Sequence, residues 1–131
     1  MTTVMSSFFG TLSQQQFLDE YWQQKPLLIR QAFPAISPPF DPEDLAGLCC
    51  DTGVAGRIVI GKDKHWQVQN APLSEQNFLE TPDKDWTLLV NDIERYYPEL
   101  TKIIAPFRFI PDWRIDDLMV SYAPQGGSVG P

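Results

Sequence analysis

The sequence predicts a mixed α+β fold built from many short elements. Apolar residues recur at helical spacing early in the chain, whereas runs of β-branched and aromatic residues are dispersed along the rest. Twelve prolines fall between these runs and give the elements firm ends, because proline cannot continue a helix. The 131 residues, 43% of them hydrophobic, are enough to form one domain with its own core.

Residues 14–23 are predicted to form the first helix, with Ser13 as its N-cap. The apolar stripe of this helix has the i, i+1, i+4, i+5 spacing and consists of Phe17, Leu18, Tyr21 and Trp22. Lys25-Pro26 ends the helix, because the residue before a proline disfavours helical geometry. The apolar run at residues 27–30 then indicates a short buried strand.

Asp41 is predicted to cap a second helix over residues 42–50, with Pro42 in its first turn. Cys49 and Cys50 are the only cysteines and lie side by side at the end of this helix. Adjacent cysteines bridge each other only with strain, and a structural zinc site needs spaced pairs that provide four ligands. We therefore expect two reduced thiols in the core and a cytoplasmic protein.

Residues 57–61 and 66–69 are predicted to form a β-hairpin across the polar turn at residues 62–64. A short helix is expected at residues 74–80 and a strand at residues 86–90. Residues 92–105 have the pattern of an amphipathic helix that Pro98 would weaken or kink. The packed side of that helix would consist of Ile93, Tyr96, Tyr97, Leu100, Ile103 and Ile104.

An aromatic linker at residues 107–113 leads into the last predicted strand, at residues 115–122, and into a glycine-rich turn at residues 123–131. No downstream segment is visible to pair with this strand, and an unpaired edge is an aggregation liability. We therefore expect the sheet to continue beyond Pro131 in a longer protein.

The net charge of −7 argues against direct nucleic-acid binding, which usually needs a basic stripe, and favours a basic protein partner. Acidity is also an ordinary feature of solubility. No run of about 18 apolar residues is present, so no membrane span is predicted. The first residues lack the basic and apolar regions of a signal peptide.

No complete active site can be assembled from these residues. A facial metal triad needs two histidines and a carboxylate, whereas His65 is the only histidine and is predicted to be a solvated turn residue. Asp116 and Asp117 are neighbours in a predicted strand, so their side chains point to opposite faces and cannot act jointly on one group. We expect one of them to pair with Arg114 or Arg108 and the other to face solvent or to cap a loop.

The glycine-rich turn lacks the lysine and the following helix of a phosphate-binding loop. Glycine there would serve a positive φ and a close approach of the backbone. The aromatic groups have core-like spacing without interleaved basic residues, so packing is predicted rather than base stacking. These groups are Tyr21-Trp22, Tyr96-Tyr97 and Phe107/Phe109/Trp113.

Four segments carry a family resemblance. They are Tyr-Trp-Gln-Gln-Lys-Pro-Leu-Leu-Ile-Arg at residues 21–30, Asp-Leu-Ala-Gly-Leu at 44–48, Trp-Thr-Leu-Leu-Val at 86–90, and the block from Pro106 to Ser121. In order and spacing they resemble the JmjC-type (cupin-like) 2-oxoglutarate oxygenases of bacteria that hydroxylate an arginine of a large-subunit ribosomal protein. The last block is the most specific, and the resemblance extends over the chain from about Ser13 onward.

The resemblance implies N-terminal helices and short strands that lead into the first strand of a double-stranded β-helix (the cupin/JmjC jelly roll), with the barrel incomplete in this chain. It also implies Fe(II) and 2-oxoglutarate as cofactors, a basic ribosomal protein as substrate, and a homodimer for the full-length protein. Residues 1–131 would be the N-terminal part of the oxygenase domain.

In this family the iron-binding His-x-Asp follows the Gly-Pro at which this chain ends, and a second histidine comes much later. Neither has a counterpart here, nor does the basic residue that holds the 2-oxoglutarate carboxylate. The resemblance places Ser121 at the cosubstrate, where its hydroxyl could donate to a carboxylate. We therefore expect the chain by itself to be inactive and to bind neither iron nor 2-oxoglutarate.

Two other interpretations stay open. The chain could be a non-catalytic acidic module that docks a basic partner, or an unrelated cupin-like fragment whose relatives are isomerases or storage proteins. The residues encoded after Pro131 discriminate between them, since His-x-Asp supports the oxygenase and a stop codon supports the module.

Overall fold

The computed structural model of the protein describes residues 9–129. They divide into two units, each made of two stretches of chain. The first unit contains residues 9–37 and Lys102–Ile115, and the second contains Pro38–Thr101 and residues 116–129. The predicted absence of a signal peptide and the Gly130-Pro131 end of the predicted turn concern residues outside the described part.

The first unit contains helix α1 (Gln14–Glu20), and Ser13 is its N-cap as predicted. The Ser13 hydroxyl accepts from the Gln16 N–H at 3.0 Å, and the Gln16 side chain accepts from the Ser13 N–H at 2.9 Å. The helix ends three residues before the predicted boundary. Gln23 has a left-handed φ of 59°, which a right-handed helix cannot contain.

Aromatic rings form the core of the first unit. The Phe17 ring stacks on Phe9 with centroids 4.8 Å apart and meets Phe109 edge-on at 6.0 Å. Phe33 packs against Phe107 at 6.2 Å. Packing of Phe107 and Phe109 is therefore confirmed, and these contacts join the two stretches of chain that make up the unit.

The prediction of a strand at residues 27–30 is wrong. No strand of the described chain pairs with this segment, and the Leu28 side chain is 75% exposed. An apolar run becomes a buried strand only where a neighbouring strand satisfies its backbone N–H and C=O groups, and no such neighbour lies beside it here.

In the second unit, helix α2 (Pro42–Leu48) begins after the predicted cap Asp41, whose carboxylate accepts from the Asp44 N–H at 2.8 Å. Helix α2 ends two residues before the predicted boundary, with Cys49 as its C-cap. Helix α3 (Glu75–Leu79) is capped by Ser74 and confirms the third predicted helix. Leu45 of helix α2 is buried in the core of this unit.

The second unit is built on a four-stranded antiparallel sheet with the order β2-β1-β3-β4. The strands are β1 (Gly56–Lys62), β2 (His65–Asn70), β3 (Trp86–Val90) and β4 (Val120–Tyr122). The predicted hairpin is confirmed by β1 and β2, with Val59 opposite Val68. The strand predicted at residues 86–90 is β3 and lies centrally in the sheet, beside β1.

Residues 92–105 do not form the predicted helix. Instead, short turns of 3-10 helix at Ile93–Arg95 and Pro98–Leu100 lead into helix α4 (Thr101–Ile104), and further 3-10 turns lie at Ala105–Phe107 and Asp112–Arg114. Tyr97, directly before Pro98, has non-helical angles (φ −128°, ψ 79°), as expected for a residue that precedes proline. On the predicted packed side, Ile93 and Leu100 are buried but Tyr96 is 37% exposed.

The last predicted strand is shorter than expected, and it has an upstream partner that the sequence did not reveal, while its other side is an edge among the described residues. Only Val120–Tyr122 is strand, and it pairs antiparallel with β3, with Leu89 opposite Ser121. The partner precedes β4 by about thirty residues of chain, a distance that a reading of neighbouring segments does not connect. In the described part of the chain no helix is long and apolar enough to cross a membrane.

Candidate functional site

Ser121, the one residue that the resemblance places at a cosubstrate, lies on β4 at the edge of the sheet. It stands opposite Leu89 of β3, which stands opposite Arg57 of β1, so the three residues form one row across one face of the sheet. Leu89 is 2% exposed, whereas Ser121 is exposed. The Ser121 hydroxyl is therefore open to solvent and able both to donate and to accept a hydrogen bond.

A chain of polar side chains lies at the end of β3 nearest this row. An Arg57 N–H donates to the Asn91 side-chain oxygen at 3.0 Å, and the Asn91 amide nitrogen donates to the Asp117 carboxylate at 3.0 Å. The same Asp117 oxygen accepts the Asp92 backbone N–H at 2.9 Å. All three bonds are partly buried, and together they connect β1, the end of β3 and the segment before β4.

Asp116 and Asp117 have separate roles, although they lie before strand β4 rather than in it, and neither forms the predicted ion pair. Asp117 caps the loop after β3, and Asp116 is exposed. Arg108 pairs instead with Asp112 at 3.1 Å, and the Arg114 guanidinium lies over the Trp113 ring at 4.6 Å. Trp113 is 76% exposed, so its predicted place in the core is also wrong.

The turn after β4 runs back along the start of β3. The Asp85 N–H donates to the Gln125 carbonyl at 3.0 Å, and the Thr87 hydroxyl donates to the Ser128 carbonyl at 3.3 Å. Gly126 has φ +77°, and a Cβ there would collide with the Asp85 carboxylate. The predicted need for glycine is confirmed at this position by the backbone angle, which L side chains rarely adopt, and a larger residue would also displace the Asp85 side chain.

The described residues do not fit an iron site. His65 is exposed, as predicted, although it is the first residue of β2 and not a turn residue. Within residues 9–129 no three His, Cys, Asp or Glu side chains come together in a way that could hold a metal ion. A mononuclear iron oxygenase site needs two histidines and a carboxylate on one face of the metal. The described residues therefore provide no such set of metal ligands.

The two cysteines are free thiols in different surroundings. Cys49 is fully buried, as predicted, and burial, followed by the nearby Cys50, raises the pKa of its thiol to about 11. Cys50 is exposed, which corrects the expectation that both thiols lie in the core. Consecutive residues at the end of a helix point in different directions, so one side chain can be buried while its neighbour faces solvent.

Sequence reasoning missed Arg57 and Asn91. A weak signal was present, since Arg57 is the one charged residue of the strand predicted at residues 57–61, and Asn91 directly follows the strand predicted at residues 86–90. The bond between them joins residues 34 positions apart in the chain, and only the strand pairing brings them together.

Comparison with known proteins gives a consistent set of relatives. The chain is 47% identical over 115 residues to a protein named "Probable ribosomal oxygenase" from Haemophilus influenzae, a match that covers 87% of this chain and 28% of that protein. It is 37% identical over 121 residues to the ribosomal protein uL16 3-hydroxylase of Escherichia coli, covering 92% of this chain and 32% of that protein. No protein-family model matches the chain.

Solved structures agree with these relatives. An X-ray structure of E. coli YcfD superimposes with a TM-score of 0.82 at 36% identity, covering 92% of this chain and 32% of that one. A structure of the E. coli ribosomal oxygenase in complex with cobalt and 2-oxoglutarate matches with a TM-score of 0.79 at 35% identity, covering 89% of this chain and 32% of that one. The chain thus spans about a third of the length of these relatives and corresponds to their N-terminal portion.

Proposed function

Because the chain belongs to the ribosomal oxygenase family, as the N-terminal portion of a member, we propose that it is part of a 2-oxoglutarate- and Fe(II)-dependent oxygenase that hydroxylates an arginine of a large-subunit ribosomal protein. The observation that carries this proposal is the match over 92% of the chain, at 36% identity and a TM-score of 0.82. The complex of the E. coli protein with cobalt and 2-oxoglutarate supports the cofactor class, since cobalt and iron are both divalent metals that imidazole and carboxylate ligands bind.

In this proposal the chain contributes scaffold and one cosubstrate contact. The Ser121 hydroxyl, exposed at the sheet edge, would donate a hydrogen bond to a 2-oxoglutarate carboxylate. The metal ligands would come from residues outside these 131, because the whole sequence contains one histidine. The chain alone would therefore be catalytically inactive, and no step of the reaction is assigned to its residues.

The proposed setting follows from the substrate class. Ribosomal proteins are basic, and a chain of net charge −7 complements them without favouring direct contact with nucleic acid. We place the protein in the cytoplasm with its substrate, and we expect the full-length protein to be a homodimer.

A chimera tests the proposal. These 131 residues would replace the matching N-terminal portion of the E. coli uL16 3-hydroxylase, and mass spectrometry would follow oxygen addition to uL16 with Fe(II) and 2-oxoglutarate. We expect the chimera to hydroxylate an arginine of uL16 and the isolated chain to be inactive. In the chimera, Ser121→Ala should raise the KM for 2-oxoglutarate several-fold, because one charge-assisted hydrogen bond is lost.

The alternative function is a non-catalytic acidic module that docks a basic partner, and the net charge of −7 is the observation in its favour. A folded chimera without activity, together with stoichiometric binding of the isolated chain to uL16, would favour the module. An active chimera would contradict it.

A further inference from the structure

Strand β4 is short, and contacts on both sides of it bear on its position along β3: the turn after it bonds to Asp85 and Thr87, and the segment before it bonds near the end of β3. Only three residue pairs join the two strands: Leu88 with Tyr122, Leu89 with Ser121, and Val90 with Val120. A slip by one residue would turn every side chain of β4 to the other face of the sheet. Ser121 would then leave the face of Arg57 and Leu89 and join the face of Leu88.

The segment directly before β4 is held at a fixed point by four hydrogen bonds. Asp117 accepts the Asn91 side-chain N–H and the Asp92 backbone N–H through one carboxylate oxygen. The Ile93 N–H donates to the Leu118 carbonyl at 3.0 Å, and the Leu118 N–H donates to the Glu94 carboxylate at 3.3 Å. These bonds hold residues 117 and 118 beside the end of β3, two residues before β4 begins.

Arg57 fixes the orientation of the Asn91 amide. The guanidinium has only donors, so the Asn91 oxygen must face it and the Asn91 nitrogen must face Asp117. Asn91 is itself anchored to the sheet, because its backbone N–H donates to the Ala55 carbonyl at 2.9 Å, just before β1. Through Asn91, Asp117 is therefore held by contacts at the central strands β1 and β3, and not by contacts of the edge strand β4 itself.

We propose that Asp117, held by Arg57 through Asn91, sets the register of β4 and so determines the face on which Ser121 is presented. Asp117 is a positioning residue in this role. The significance of Ser121 for a cosubstrate rests on the proposed function, whereas the register of β4 does not.

The test is isotope-edited NOE spectroscopy of the 131-residue chain and three variants. Asp117→Ala removes the acceptor, Asp117→Asn keeps one side-chain oxygen that can accept both N–H groups, and Asp116→Ala changes an exposed neighbour as the matched control. We expect Asp117→Ala to lose the cross-strand contacts between Leu89 and Ser121 while the Val59–Val68 contacts of the hairpin persist. We also expect amide exchange in β4 to accelerate roughly tenfold or more.

Asp117→Asn and Asp116→Ala should keep the wild-type register. Asn91→Asp should behave like Asp117→Ala, because it places a second carboxylate against Asp117 while keeping the bond to Arg57. An unchanged Leu89–Ser121 contact in Asp117→Ala would overturn the proposal. So would simultaneous loss of the hairpin contacts, since the carboxylate would then support the whole sheet rather than the register of β4.

The same variants separate this inference from the proposed function. If Ser121 does not contact the cosubstrate, the register still shifts in Asp117→Ala, but Ser121→Ala leaves the KM of the chimera for 2-oxoglutarate unchanged. If the register is set elsewhere, Ser121→Ala raises that KM and Asp117→Ala leaves the Leu89–Ser121 contact in place.

Discussion

At the scale of single residues, close backbone approach decides the path of the chain after β4. Gly126 takes a positive φ against Asp85, and Gly127 lies so near β3 that a Cβ would collide with the Trp86 carbonyl oxygen. The Gly127 contact cannot be relieved by turning a side chain, because the obstructing atom of Trp86 belongs to the backbone of a central strand. The composition of this turn is therefore a packing requirement and not a sign of a flexible linker.

A matched pair of glycine substitutions tests this requirement. Gly127→Ala should destabilise the chain by about 1–3 kcal/mol, because its Cβ would also lie 2.7 Å from the Ala123 Cβ. Gly47→Ala, in helix α2 with no atom within 4 Å of the added Cβ, should stabilise it by about 0.5–1 kcal/mol. Urea unfolding measures both, and shifts of the same sign would contradict the argument.

At the scale of elements, local signals predicted the helix starts and long-range contacts decided the strands. Ser13, Asp41 and Ser74 each form a capping box, in which the cap and the third helical residue satisfy each other's backbone N–H groups. This motif lies within four residues of sequence and needs no partner. The strand predicted at residues 27–30 did not form because no strand of the described chain lies beside it. The helix predicted at residues 92–105 is divided because Pro98 interrupts it.

The sheet order predicts how strongly each strand is protected from amide exchange. β1 and β3 are bonded on both sides, whereas β2 and β4 are edges in the described chain, and β4 has three residues. We expect the amides of β1 and β3 to exchange slowest and those of β4 to exchange at least about tenfold faster. Hydrogen exchange followed by NMR measures this, and β4 protection equal to that of β3 would contradict it.

At the scale of the whole molecule, the likeness to ribosomal oxygenases covers nearly all of this chain but about a third of theirs. Under the proposed function, this chain supplies scaffold and the metal ligands lie elsewhere in a longer protein. The chain holds Ser121 and the turn that leads away from β4, while the single histidine lies exposed at the start of β2.

Titration with Fe(II) tests this separation. Isothermal titration calorimetry under anaerobic conditions should show no stoichiometric binding to the 131-residue chain, because one histidine cannot form a triad of two histidines and a carboxylate. The intact E. coli hydroxylase serves as the positive control. Tight binding at one ion per chain would contradict the proposed division of roles.

The sequence by itself determined the α+β class, the helix starts capped by Ser13 and Asp41, the short third helix, the hairpin, the strand at residues 86–90 and the family. Each of these depends on residues close in the chain or on motifs in a fixed order. Only the tertiary structure decided that β4 pairs with β3, that Asp117 bonds to Asn91 rather than to an arginine, and that Ser121 shares a face with Arg57. The physical reason is that side-chain bonds between distant strands depend on register, and register is set by contacts that no local pattern records.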